Sequence, residues 1–106
     1  MKTTISGIIN SFSDILSNID SDPEFIVATI EELRILDYKL SKFIHGDANQ
    51  ALKPINNADL KKDLMDIHDS LVESIDISIS DDFMPIKRMN ELLSNLKKIK
   101  QKYGLI

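Results

Sequence analysis

Ile5-Ser6-Gly7-Ile8-Ile9-Asn10-Ser11-Phe12-Ser13-Asp14-Ile15-Leu16-Ser17-Asn18-Ile19 is the stretch that decides the fold. Its apolar residues Ile5, Ile8, Ile9, Phe12, Ile15, Leu16 and Ile19 recur at i, i+3, i+4 and i+7. That spacing gathers them on one face of a helix of 3.6 residues per turn, whereas a strand would need alternation. The residues between them, Ser6, Asn10, Ser11, Ser13, Asp14, Ser17 and Asn18, are small and polar. The pattern therefore predicts a helix over residues 3–19, buried on one face and wet on the other.

Three more stripes follow. Asp22-Pro23-Glu24 reads as a stop and restart, with Asp22 as an N-cap, Pro23 in the first turn and Glu24 complementing the helix dipole. A second helix is expected over residues 23–45, with Ile26, Ile30, Leu33, Leu40 and Phe43 as its stripe and Val27, Leu36 and Ile44 widening it. Ile35 and Leu36 together make this helix apolar on more than one side, as suits a helix with two neighbours. Gly46 is free to take positive φ and end it. Residues 47–57 lack periodicity and read as a connection, held to the core by Leu52 and Ile55.

Asn57 is placed to cap a third helix, whose seam is Leu60, Leu64, Ile67, Leu71 and Ile75. Residues 75–80, Ile-Asp-Ile-Ser-Ile-Ser, alternate strictly in the manner of a strand. With no second strand to pair with, they read as a frayed helix end passing into an extended linker. A fourth helix is expected to begin at residues 80–82, capped there, with Pro85 in its first turn. Its stripe is Ile86, Met89, Leu92, Leu93, Leu96, Ile99 and Tyr103, Gly104 stops it, and Leu105 and Ile106 form an apolar tail.

Composition agrees. The 106 residues are 42% hydrophobic and 28% charged, the balance of one ordinary globular domain. Three glycines and three prolines leave little material for the turns of an all-β fold. No Cys is present, which excludes disulfides, thiolate metal sites and cysteine nucleophiles and suits a cytoplasmic location. The apolar runs are far shorter than the ~20 residues that span a bilayer, so no membrane span is expected. Ser6, Gly7, Asn10 and Ser11 interrupt any signal-like apolar run behind Met1-Lys2.

The net charge of −4 is unevenly spread. Residues 1–82 carry seven Lys or Arg against sixteen Asp or Glu, and residues 83–106 carry six against one. Lys97, Lys98, Lys100 and Lys102 near a helix C-terminus are each favoured there by ~0.3–1 kcal/mol. The alternative is a basic docking face for an acidic partner or an anionic membrane surface. Nucleic acid is not expected, because the rest of the chain repels phosphate.

Catalytic chemistry finds no pattern to stand on. His45 ends the second helix beside Gly46, and His68 lies off the Leu64–Leu71 seam, so both read as surface or capping residues without a metal-binding partner. Asp76, Ser78, Ser80, Asp81 and Asp82 look like the start of a calcium loop. The sixth position, though, is Asp81 rather than Gly, and the twelfth is Lys87 rather than Glu. Glu31 and Glu32 point to different sides of a helix, and the glycines are isolated, so neither an acid/base pair nor a phosphate loop is expected. No catalytic residue, cofactor or metal is therefore assigned.

The expected fold is an all-α antiparallel four-helix bundle forming a single domain. The Asp22-Pro23-Glu24-Phe25 restart, the Ser78-Ile79-Ser80-Asp81-Asp82 linker and Met89-Asn90-Glu91-Leu92-Leu93 running into Lys102-Tyr103-Gly104 resemble the immunity proteins of pediocin-like (class IIa) bacteriocins. The resemblance implies a non-enzymatic cytosolic protein that binds a bacteriocin together with its sugar-transporter receptor, touching that membrane protein from the cytoplasmic side. It further implies recognition by the C-terminal half, here Lys97, Lys98, Lys102, Tyr103, Leu105 and Ile106. A competing expectation is an oligomeric phage- or plasmid-encoded structural or adaptor protein working through residues 75–79 or the open side of the second helix. The sequence leaves the oligomeric state undecided.

Overall fold

A computed structural model describes residues 3–19 and 23–106, with side chains over 3–19 and 27–106. It contains helices α1 (Ile5–Ser17), α2 (Pro23–His45), α3 (Ala58–Asp81) and α4 (Ile86–Tyr103), and a single 3-10 turn at Ala48–Gln50. Each helix packs on the next in sequence, and α4 closes the ring on α1. Three pairings fix the directions. The backbone N–H of Thr3, before α1, donates to Gln50, after α2. Tyr103 at the end of α4 reaches Asp63 near the start of α3. Ser6 and Asn10 of α1 face Lys97 and Gln101 of α4. Neighbouring helices are thus antiparallel, as in an up-down-up-down bundle.

The stripes read from sequence meet at the centre, except that Ile86, read as the start of the fourth stripe, is 43% exposed. Ile5, Ile8, Ile9, Phe12 and Ile15 of α1 are buried, as are Leu60, Leu64, Ile67, Leu71 and Ile75 of α3 and Met89, Leu92, Leu93, Leu96 and Ile99 of α4. On α2 the buried line is Thr29, Leu33, Leu36, Leu40 and Ile44, with Ile30 and Phe43 packed on its edge. Val27 and Ile35, by contrast, face solvent, Ile35 being 56% exposed. α2 therefore has one buried face, narrower than its apolar content suggested, and the remaining large side chains stay on the surface. Ile26 and the Asp22 cap lie outside the described side chains.

Helix ends follow local chemistry. The Thr4 hydroxyl accepts from the Gly7 N–H at 3.1 Å, and Asn57 Oδ1 accepts from the N–H groups of Asp59 and Leu60 at 3.0 and 3.1 Å. Each satisfies donors that the first helical turn leaves unpaired. Gly46 takes φ +89°, and a Cβ there would lie 2.9 Å from the Leu52 carbonyl oxygen and from Pro54. Only glycine fits both the angle and the space.

Residues 47–52 form a small clasp. Asp47 and Leu52 exchange two backbone hydrogen bonds of 2.9 Å. The Asp47 carboxylate accepts from Lys42 Nζ at 3.0 Å, from the Asn49 N–H at 3.0 Å and from Gln50 Nε2 at 3.2 Å. Gln50 Oε1 in turn accepts from the N–H and hydroxyl of Thr3 at 2.7 and 2.8 Å. Ile55 packs on the core, so the connection is held by one apolar and several polar contacts.

The C-terminal part of α3 corrects the sequence reading. Residues 75–80 are helical, and α3 runs on to Asp81. The helical period was hidden because two of its core positions are serines: Ser74 and Ser78 are buried beside Ile75. Each hydroxyl donates to the carbonyl four residues earlier at 2.9 Å, so neither enters the core unsatisfied. The start of α4 also shifts. Asp82 is not an N-cap but the left-handed C-cap of α3, at φ +50°, and Pro85 precedes Ile86 without a side-chain cap.

Two predictions follow from this packing. Ser78→Ala removes a hydrogen bond made within the helix and should cost under about 1 kcal/mol, whereas Ser78→Leu overfills the site and should cost about 1–3 kcal/mol, read by urea denaturation. The Lys42 hydrogen bond holds the Asp47 carboxyl below its ordinary 3.8, against the opposing effect of desolvation. A lowered carboxylate pKa stabilises the fold above the unfolded value, and that stability is lost as pH falls through the folded value. Asp47→Asn should therefore melt below the parent at pH 7, with the gap closing as pH drops below 3.8.

Candidate functional site

Because the core stripe of α4 points inward, its lysines line the outside of the bundle. Lys97 and Lys98 are exposed and, with Lys100, form one wall of a groove of about 490 Å³ between α4 and α1. Ser6 and Asn10 form the other wall, Ile9 lies in the floor, and Ser94 and Gln101 complete the lining. Among the described residues, no acidic side chain lines this groove and none of the three lysines has an ion-pair partner. The surface of α1 is what makes the groove: its outward residues are short, so α4 meets a low wall.

The other sequence-predicted residues are placed differently. Tyr103 Oη donates to Asp63 Oδ2 at 2.9 Å, and Lys102 Nζ lies 3.7 Å from the same oxygen and 5.1 Å from the Tyr103 ring centre. Partial desolvation and the bond to Asp63 raise the Tyr103 pKa, and the Tyr103 hydroxyl beside Lys102 raises that of the ammonium. Tyr103 and Lys102 thus join α4 to the start of α3. Leu105 packs on the core, and its N–H donates to the Lys100 carbonyl at 2.9 Å. Ile106 is 89% exposed beside an opening of about 690 Å³ that also borders Phe43, Leu52 and Ile55.

The six residues therefore divide into three pairs: Lys97 and Lys98 in the α1–α4 groove, Lys102 and Tyr103 against α3, Leu105 and Ile106 at the bundle end. Lys100 belongs with the first pair; the sequence places it in the basic run but not among the six recognition residues. Its signal was its spacing, three residues after Lys97 on a helix.

His68 also departs from its reading as a surface residue. Its Nδ1 lies 2.6 Å from Asp37 Oδ1, linking α3 to α2, and both side chains are mostly covered. Burial pushes the Asp37 carboxyl up from its ordinary value, and His68 beside it pulls the other way without cancelling the effect. The two groups hold each other in place at a cost in hydration, as partly buried hydrogen-bonded groups do. Sequence could not join positions 37 and 68, which flank the seams of different helices. Among the described residues, no group of three or more His, Cys, Asp or Glu could hold a metal ion.

Compared with known proteins, the chain matches no family model, no curated protein and no solved structure.

A double-mutant cycle on Asp37→Ala and His68→Ala, read by urea denaturation at pH 7, should give a favourable coupling of about 0.5–1.5 kcal/mol. A coupling of zero would show that the contact holds nothing together.

Proposed function

We propose that this chain is a non-enzymatic protein-binding bundle that works in the cytoplasm and meets its partner through the outer face of α4. The observation that carries this reading is the groove walled by Lys97, Lys98 and Lys100, whose charge no acidic side chain of the described bundle offsets. Cations near a helix end are weakly stabilised by its dipole, but only Lys100 and Lys102 fall in the last turn of α4. Lys97 and Lys98 lie earlier and gain little from it. An ammonium cluster flanked by Ser, Asn and Gln suits a partner that offers carboxylates and backbone carbonyls. The acidic remainder of the chain would orient such a partner toward this strip as it approaches.

In its concrete form the proposal is immunity to a pediocin-like bacteriocin, with the α4 surface engaging the bacteriocin–receptor complex from the cytoplasmic side. No helix among the described residues is long and apolar enough to cross a membrane, so contact with a membrane protein would be peripheral. Expression in a sensitive bacterium should protect against at least one class IIa peptide. Lys97→Glu with Lys98→Glu should abolish that protection while leaving the helical circular dichroism intact. Unchanged killing across a broad peptide panel would overturn the immunity form.

A further inference from the structure

An acidic line runs along α3, on the corner of the bundle diagonal to α1. Asp66, Asp69, Glu73 and Asp76 follow one another at steps of three or four residues, so they share one helix face, and all four are exposed. Between Asp66 and Asp76 the helix carries no Lys or Arg, and its His68 is held by Asp37. Lys62 stands one turn before Asp66 on the same face and marks where the acidic run stops. Arg88 of α4 pairs with Glu73 at 2.8 Å. Asp66, Asp69 and Asp76 have no ion-pair partner among the described residues.

Two unbalanced surfaces therefore lie on one chain: the carboxylates of Asp66, Asp69 and Asp76, and the ammonium groups of Lys97, Lys98 and Lys100. They cannot meet within one molecule, because α1 and α3 do not touch and the lysine groove opens between α4 and α1. Between two molecules they can. The outer face of α3 is a ridge, and the groove walls at Ser6, Asn10 and Ser94 are low enough to admit one. At about 1.5 Å per residue, the ridge from Asp66 to Asp76 is about 15 Å long and the groove from Ser94 to Gln101 about 10 Å, so the first fills the second.

We propose that the α3 face of a second copy of this chain occupies the α1–α4 groove, with Asp66, Asp69 and Asp76 set against Lys97, Lys98 and Lys100. This rests on the reading of that groove as a docking site and gives it a competitor: a groove that holds a neighbour's α3 is closed to any other acidic partner. The contact is heterologous, so each copy offers one groove and one ridge, and copies add in a row. Exposed ion pairs are individually weak, so the Kd is about 0.1–1 mM and rises as salt screens the charges.

Sedimentation velocity on the full chain tests this at about 0.02 M and about 0.5 M salt. At the lower salt the parent should pass from the 12.0 kDa monomer to dimers and longer rows as concentration rises, and at the higher salt it should stay monomeric. A groove variant (Lys97→Gln, Lys98→Gln, Lys100→Gln) and a ridge variant (Asp66→Asn, Asp69→Asn, Asp76→Asn) should each self-associate about tenfold more weakly or less. Mixed, they should form a dimer of one chain each that adds no third, since only one intact groove and one intact ridge remain between them. A parent that stays monomeric into the millimolar range at the lower salt overturns the proposal. So does a ridge variant that associates like the parent, or a mixture that stays monomeric. The ridge variant keeps its groove, so it should protect a sensitive bacterium wherever the parent does. Protection that depends on the groove lysines in a chain that never self-associates would sink the self-docking and leave the groove reading standing.

Discussion

Removal of aliphatic side chains from water is the constraint on which the rest of this molecule depends. Among the described residues, the buried hydrophobic side chains are all Ile or Leu except Phe12, Met84 and Met89. Such side chains attract without direction, at roughly 25 cal/mol per Å² of apolar area buried, and many arrangements of four stripes could bury them. What selects one arrangement is the set of contacts that do have direction. Asp37 meets His68 across α2 and α3, Tyr103 meets Asp63 across α4 and α3, and the Asp47 clasp ties the start of α1 to the end of α2. The bundle is driven together by oil-like surface and put in register by a few polar pairs.

Those two layers differ in how far sequence reveals them. Apolar spacing is periodic, so the bodies of all four helices were readable, and Gly46, Asn57 and Gly104 marked ends that the structure keeps. Polar pairing joins residues distant in sequence, and nothing in a local window distinguishes His68 from any other off-seam histidine. The Ile75–Ser80 stretch misled for a third reason. Serine at a core position looks polar to a periodicity argument, yet inside a helix its hydroxyl can be satisfied by the preceding turn, so the position behaves as a small space-filler.

The basic segment was legible as composition but not as geometry. Counting charges pointed to the C-terminal quarter. It could not separate Lys102, which is already engaged with Asp63 and Tyr103, from Lys97, Lys98 and Lys100, which have no such partner among the described residues. The groove itself depends on the short side chains of α1, a helix whose sequence was informative for its buried face and silent about what its outer face would border.

The aromatic residues bring a consequence for watching this protein fold. The chain has no Trp and two Tyr, so its near-ultraviolet signal comes chiefly from Tyr38 and Tyr103. The Tyr38 ring lies under the Lys42 ammonium at 4.5 Å, next to the Asp47 clasp, and Tyr103 lies under Lys102 at the close of α4. Both reporters therefore occupy the end of the bundle where α2 and α4 finish, and the α3–α4 turn has none. Tyrosine fluorescence will register loosening of one pole, while events at the other pass unseen until the whole bundle opens.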